Sequence, residues 1–321
     1  MSQPQFPVTA KADSMVTIGK GHSSIGCQDY AKSIVHARSG VTISVVSDGC
    51  SSAVHSEVGA SIVVHTAMTM LVSYLDAFPN EATLKELFVP PTASANDLQL
   101  KLRTFASHLA IKLESIGNTM FKFGAIRSPM SPDEQHLNPF HASCSILLTR
   151  GDEALAIIYG DGAFVAHQGG NDYSVVNVEF NNNAPYYPLY ECLVRGTEDY
   201  CSLVGAEGRF VSYHQFGSTL AAPTRTVAAS SLLPTVVEIS NASAYRSLII
   251  TSDGIDTFST PDKPRLQLEE IVPLLTSFPI LNDGFAARQK NILSHAAKTQ
   301  GLHHHDDFSM AGVIHVPVKQ T

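Results

Sequence analysis

Basic charge is in short supply: 21 Lys and Arg stand against 29 Asp and Glu, a formal net charge of −8. That balance argues against nucleic acid or an anionic membrane as the main partner. No apolar run is read as reaching the roughly 18 to 20 residues that a membrane helix needs. The opening MSQPQFPVTAKADSMV lacks the apolar core of a signal peptide. The expected location is therefore the cytoplasm, with no membrane partner. Cysteines are few and odd in number: Cys27, Cys50, Cys144, Cys192 and Cys201, with no CxxC pair. Neither a zinc site nor a disulfide framework is expected from them. No GxxxxGK[ST] loop occurs, which excludes a P-loop nucleotidase. No repeat of roughly 20 to 50 residues is evident, which disfavours solenoids and propellers.

What remains is an ordinary globular balance, 44% hydrophobic and 16% charged over 321 residues. Strand-like runs are Val41–Ser47, Cys144–Thr149, Ala154–Tyr159, Ser247–Ser252 and Phe308–Val316. They are rich in Val and Ile and bounded by Gly, Asp or Ser. Helices are expected over Ser56–Phe78, Ser94–Gly117 and Gly284–Gly301. In the second, Leu98, Leu102, Phe105, Leu109, Leu113 and Ile116 repeat at gaps of three and four, the helical period. Ser94 or Asn96 could cap its start and Gly117 its end. Strands cluster without regular β-α alternation, so the fold class is α+β with mainly antiparallel sheets. Ile126–His141 and Asn181–Tyr190 read as loops. No Gly/Ser linker divides the chain, so residues 1–321 are read as one domain.

Three of the strand runs stop on Asp-Gly: SVVSDG at Asp48, IIYGDG at Asp161 and IITSDG at Asp253. A single Asp-Gly after a strand is most often a turn. Three, each behind a buried run, lower the odds of turns alone. A rigid strand fixes the carboxylate, and glycine lets another group approach the backbone. Asp29 and the pair Asp306-Asp307 add further acids near strands. Two bare carboxylates about 4 Å apart repel by roughly 4 kcal/mol at an effective dielectric near 20. A gathering of them calls for cations. An all-oxygen site suits Mg²⁺ or Mn²⁺ rather than zinc. A pair of such ions can lower the pKa of a bridging water for attack on phosphorus.

The order CQD, SDG, YGDG, TSDG, HDDFSMAGVI resembles the metal-dependent protein phosphatases, the PPM or type-2C family, in a prokaryotic-type branch. The motifs span about residues 15 to 316. The resemblance implies a four-layer α-β-β-α sandwich of two mainly antiparallel sheets flanked by helices. It implies a protein serine/threonine phosphatase with no covalent intermediate, using two Mg²⁺ or Mn²⁺ ions and a third, weaker one. Asp48 and Asp253 would be the catalytic residues. The metal ligands would be Asp48 (bridging), Gly49 (by its carbonyl), Asp253 and Asp306 (completing the first ion's shell), Asp29 (through water), and Asp161 with Asp253 (the third ion). The partners implied are a phosphorylated protein and a cognate serine/threonine kinase. A variable flap is expected around residues 180–226, where Tyr186, Tyr187 and Tyr190 could contact a partner.

Two positions depart from the family pattern. The phosphate-gripping arginine is replaced by Ser24, which leaves Lys20 and His22 as candidates for substrate binding. The histidine that follows the first Asp-Gly is replaced by Cys50, read as a packed, inert thiol. These departures motivate the alternative of a weak or inactive regulatory module that keeps the fold. A hydrolase of small phosphoesters would share the same chemistry. His303, His304 and His305 cannot share one face of a strand or helix, so spacing alone makes no site of them.

Overall fold

The computed structural model describes residues 8–22, 26–53, 55–78, 83–122, 138–193, 196–217, 222–276, 278 and 284–317. Ser24 and most of the 126–141 loop lie outside them, as does the side chain of His22. In chain order the elements are β1 (Val8–Thr17), β2 (Asp29–Val35), β3 (Thr42–Asp48), α1 (Ser56–Ala77), α2 (Ala95–Lys122), β4 (Cys144–Arg150), β5 (Glu153–Tyr159), β6 (Gly162–Gly169) and β7 (Asp172–Phe180). There follow α3 (Gly196–Val204), β8 (Arg209–Phe216), β9 (Ala222–Ala229), β10 (Thr235–Ile239), β11 (Ser247–Thr251), β12 (Phe258–Ser259), α4 (Leu268–Thr276), α5 (Phe285–Gln300), β13 (His303–His304) and β14 (Phe308–Pro317).

One sheet has the order β1-β14-β11-β6-β7-β8-β9 and the other β10-β5-β4-β3-β2. Every pairing within them is antiparallel. The period-2 geometry of a strand explains the layering. On β11, Leu248 and Ile250 point between the sheets, where they meet Leu147, Ile158 and Val313. Ile249 points the other way, into a core with Ile271 of α4 and Phe285 of α5. On β3, Val46 faces the second sheet, while Ile43 and Val45 pack with Val64 and Leu71 of α1 and Leu102 and Phe105 of α2. Two sheets with helices on both outer faces make the α-β-β-α sandwich. Strands covered on both faces read as unbroken apolar runs, which is why the sequence shows them so clearly.

The expected strands fall within one residue of the observed ones, and α5 ends as expected on Gly301, in the left-handed conformation at φ 67°. Ser94 caps α2: its Oγ accepts from the Asp97 amide at 3.2 Å, and the Asp97 carboxylate accepts from the Ser94 amide at 2.8 Å. Two expectations need correction. The helix does not end at Gly117 but runs on to Lys122, because Ile116 and Met120 continue its stripe onto the core. And α1, 22 residues long, is in fact long and apolar enough to cross a membrane, with a mean hydropathy of 1.6 over an 18-residue window. Its apolar face is spent on the five-stranded sheet instead: Val63, Val64, Ala67 and Leu71 are buried there.

The region expected to hold a flap contains regular structure: α3, β8 and most of β9, joined to the large sheet through β7. Tyr186 and Tyr187 are buried rather than presented to a partner. They pack with Tyr190, Tyr200 and His141 in an aromatic cluster.

Candidate active site

The antiparallel order brings the acids to one end of the sandwich. In the small sheet β3 ends there on Asp48, directly opposite Asp29 at the start of β2. β5 also ends there, and Gly160-Asp161 carries the chain from the small sheet to β6 of the large one. β6, β11 and β14 are neighbours in the large sheet, with Thr251 aligned to Ala163 and Met310. The start of β6, the end of β11 and the start of β14 therefore coincide. They bring Asp161, Asp253 and Asp306 to one cavity.

Backbone ties hold this end rigid. Ser143 brackets Asp48: its amide donates to the Asp48 carbonyl at 2.8 Å and its Oγ accepts from the Asp48 amide at 3.1 Å. Ser252 and Ser309 do the same between β11 and β14, with two bonds of 3.0 Å. Gln28 Nε2 donates to Ser56 Oγ at 2.6 Å, fastening β2 to the start of α1. The two aspartates before β14 separate in role. Asp307 turns inward, 1% exposed, and accepts from the amides of Gly19 at 2.7 Å and Gln28 at 2.5 Å. Asp306 lines a cavity of about 600 Å³ together with Asp161, Asp253 and Asp256.

Glycine is required at two of these corners by close approach. A Cβ on Gly254 would collide with the Asp307 carbonyl. One on Gly49 would lie 2.8 Å from the carbonyl oxygens of both Gln28 and Ser56.

The electrostatics are those of acids crowded out of water. Burial first, then the surrounding Asp29, Asp253 and Asp161 charges, push Asp48 well above the carboxylate range. Burial, then Asp161 and Asp306, do the same to Asp253. Burial lifts Asp161 to about 7 and Asp29 to about 6. Asp48, Ser252 and Ser309 pull Asp29 partly back, yet neither of its carboxylate oxygens completes a hydrogen bond. Among the described residues both Asp29 oxygens, Asp161 Oδ1 and Asp253 Oδ1 are buried without a hydrogen-bond partner. Buried polar atoms are rarely left so. The available ligand atoms are all hard carboxylate and carbonyl oxygens, the donor set that suits divalent Mg²⁺ or Mn²⁺. Among the described residues no three acidic, thiol or imidazole groups close into a ready ligand shell.

Other expected residues fall elsewhere. Lys20 lines a separate cavity of about 460 Å³ with His303 and His304. Of the three histidines, His305 alone faces the acid cavity, and His304 Nδ1–H donates to the Asp306 carbonyl at 2.6 Å. Cys50 is half-buried, with Sγ 3.0 Å from Ser52 Oγ and its amide on the His141 carbonyl at 2.8 Å. The sequence reading missed Asp256 and Arg265. Asp256, three residues beyond Asp253 in the same motif, carried a signal. Arg265 carried none.

The family described as Protein phosphatase 2C matches residues 18–282. The chain belongs to the protein phosphatase 2C family, whose members are protein phosphatases. Among solved structures it is similar to a bacterial serine phosphatase, 13% identical with a TM-score of 0.47, covering 95% of this chain and 98% of that one. It is similar also to the serine/threonine phosphatase Stp1 from Staphylococcus aureus, at 11% identity and a TM-score of 0.47, with 98% of each chain covered. A third is the Mycobacterium tuberculosis serine/threonine phosphatase PstP/Ppp, at 13% identity and a TM-score of 0.46, covering 96% of this chain and 99% of that one. No curated protein matches the chain in sequence.

Proposed function

We propose that the chain is a Mg²⁺- or Mn²⁺-dependent phosphatase acting on phosphoserine and phosphothreonine in proteins. The observation that carries this reading is the set of buried, unpartnered carboxylate oxygens where the two sheets end together. Asp48 would sit between two ions, with Asp29, the Gly49 carbonyl, Asp253 and Asp306 completing their surroundings. Asp161 and Asp253 would serve a third, weaker ion. When bound, the two ions supply positive charge to the phosphate oxygens and an acidified water as nucleophile.

The chain's own part is placement and proton handling. The serine brackets fix the backbones of Asp48 and Ser252, so the carboxylates need not be ordered at the moment of reaction. Asp29 is buried directly opposite Asp48, where its carboxylate would orient a water at the site. Tyr187 is kept neutral by burial and closes the side toward Cys50 and Asp161. A serine/threonine kinase is the partner reaction that would supply the substrate.

The test is hydrolysis of a phosphothreonine peptide in Mn²⁺ by the wild-type chain and by Asp48→Asn and Asp253→Asn. Turnover in the first and its loss in the other two support the reading; no turnover with any divalent ion sinks it. Calorimetric metal titration separates this reading from a regulatory module, which would bind metal weakly or not at all.

A further inference from the structure

The acid cavity poses a charge problem. Asp161, Asp253, Asp256 and Asp306 all line it, yet a phosphate monoester arrives carrying between one and two negative charges of its own. Two divalent ions would offset about four negative charges and leave little surplus to draw the anion in. Something else at the mouth must favour it. Among the described residues the cavity is lined by a single Lys or Arg, Arg265.

The state of that arginine is informative. Its side chain is 61% exposed, and its Nη2 stands 3.7 Å from Asp256 Oδ2. That separation is an ion pair without the short, paired hydrogen bonds of a good guanidinium–carboxylate fork. The Asp256 carboxylate is meanwhile engaged by Asn177 Nδ2 at 3.0 Å. Arg265 is thus held loosely beside the cavity by a partner that has another donor. A tetrahedral dianion offers the same guanidinium two oxygens at once. His305 also lines the cavity, but the nearby lysines are directed elsewhere: Lys263 pairs with Glu270, and Lys20 lines the other cavity.

We infer that Arg265 grips the substrate phosphate at the mouth of the acid cavity, exchanging its loose contact with Asp256 for the phosphate oxygens. The inference rests on the phosphatase reading above and adds to it the residue that recognises the substrate phosphate's charge.

The experiment compares wild type with Arg265→Ala and Arg265→Lys in Mn²⁺, using a phosphothreonine peptide and p-nitrophenyl phosphate. Arg265→Ala should raise KM for both substrates by about tenfold, with kcat within about threefold of wild type. The inhibition constant of inorganic phosphate should rise in step. Arg265→Lys should recover part of the loss, because it keeps the charge and loses the fork. Unchanged KM and phosphate inhibition, or a fall confined to kcat, would overturn the inference. Binding of inorganic phosphate measured by calorimetry separates the two possible failures. Phosphate binding that depends on Arg265 without any turnover sinks the phosphatase reading alone. Turnover with phosphate binding indifferent to Arg265 sinks this inference alone.

Discussion

The two ends of the sandwich use the same residue types for opposite purposes. At the far end the β4–β5 hairpin turns through Gly151-Asp152. Gly151 has φ 57° with nothing near its missing Cβ, and the exposed Asp152 caps a neighbouring turn through Ser243 and Ala242. At the near end Asp48-Gly49 and Asp253-Gly254 also close strands. There the glycines are hemmed in by other backbones, and Asp253 has a buried oxygen with no partner. The Gly-Asp turn at the far end satisfies itself; the Asp-Gly corner at Asp253 is left unsatisfied by the protein. An aspartate beside a glycine at a strand end therefore does not identify a site. Crowding of the glycine and the orphaned carboxylate do.

The largest expected effect breaks that comparison directly. Asp48→Asn should lower phosphatase turnover by more than about a hundredfold, a scale that even supporting groups of metal sites reach. Asp152→Asn should leave turnover unchanged in the same assay. Next comes the glycine contrast, read by urea denaturation. Gly254→Ala must push apart the Asp307 carbonyl and the end of β11, an overpacking cost of about 3 kcal/mol. Gly151→Ala meets only the left-handed backbone penalty, about 1 kcal/mol. Equal costs at the two positions would mean that the near end is no more tightly built than a hairpin.

The same contrast explains what was legible in the sequence. β3, β4, β5, β11 and β14 are buried on both faces, so their apolar runs declare themselves and their terminal acids stand out. β8 is half-exposed along its length and β9 carries Thr224, Arg225 and Thr226 at its middle, so neither shows a clear run. α4 is nine residues long and contains Pro273, which hides its period. The acids could be read because each is tied to a strand end. Arg265 could not, because its position depends on where the segment after β12 folds back beside Asp256. The division of labour between Asp306 and Asp307 likewise depends on which carboxylate meets the amides of Gly19 and Gln28, residues far away in sequence.

A smaller effect concerns pH. Asp29 at about 6 and Asp161 at about 7 lie above their ordinary value of 3.8. The folded metal-free chain therefore holds protons that the unfolded chain has already released. Stability from this end is fullest below about pH 4 and is lost as pH rises through 6 and 7. In EDTA, Tm should fall by on the order of 5 °C between pH 5 and pH 8 from this cluster. With Mn²⁺ present the slope should flatten or reverse, since bound cations favour the ionised acids. Parallel melting curves with and without Mn²⁺ would show that the near end does not bind the metal.

The smallest effect is expected at Cys50, the residue that follows the crowded Gly49. If it gave a proton to the leaving group, its removal would cost rate and shift the basic limb of the pH profile. Its surroundings do not prepare it for that. Its Sγ is spent on Ser52 Oγ at 3.0 Å, and its amide is tied back to His141. Its neighbours are the acids and the buried Tyr187. Cys50→Ser keeps the size and the hydrogen bond while raising the acid's pKa out of reach. It should therefore retain kcat/KM within about twofold with an unchanged pH profile. A loss of tenfold or more with a displaced basic limb would instead make the thiol part of the chemistry, and would extend the reactive end of the sandwich one residue past the glycine that closes it.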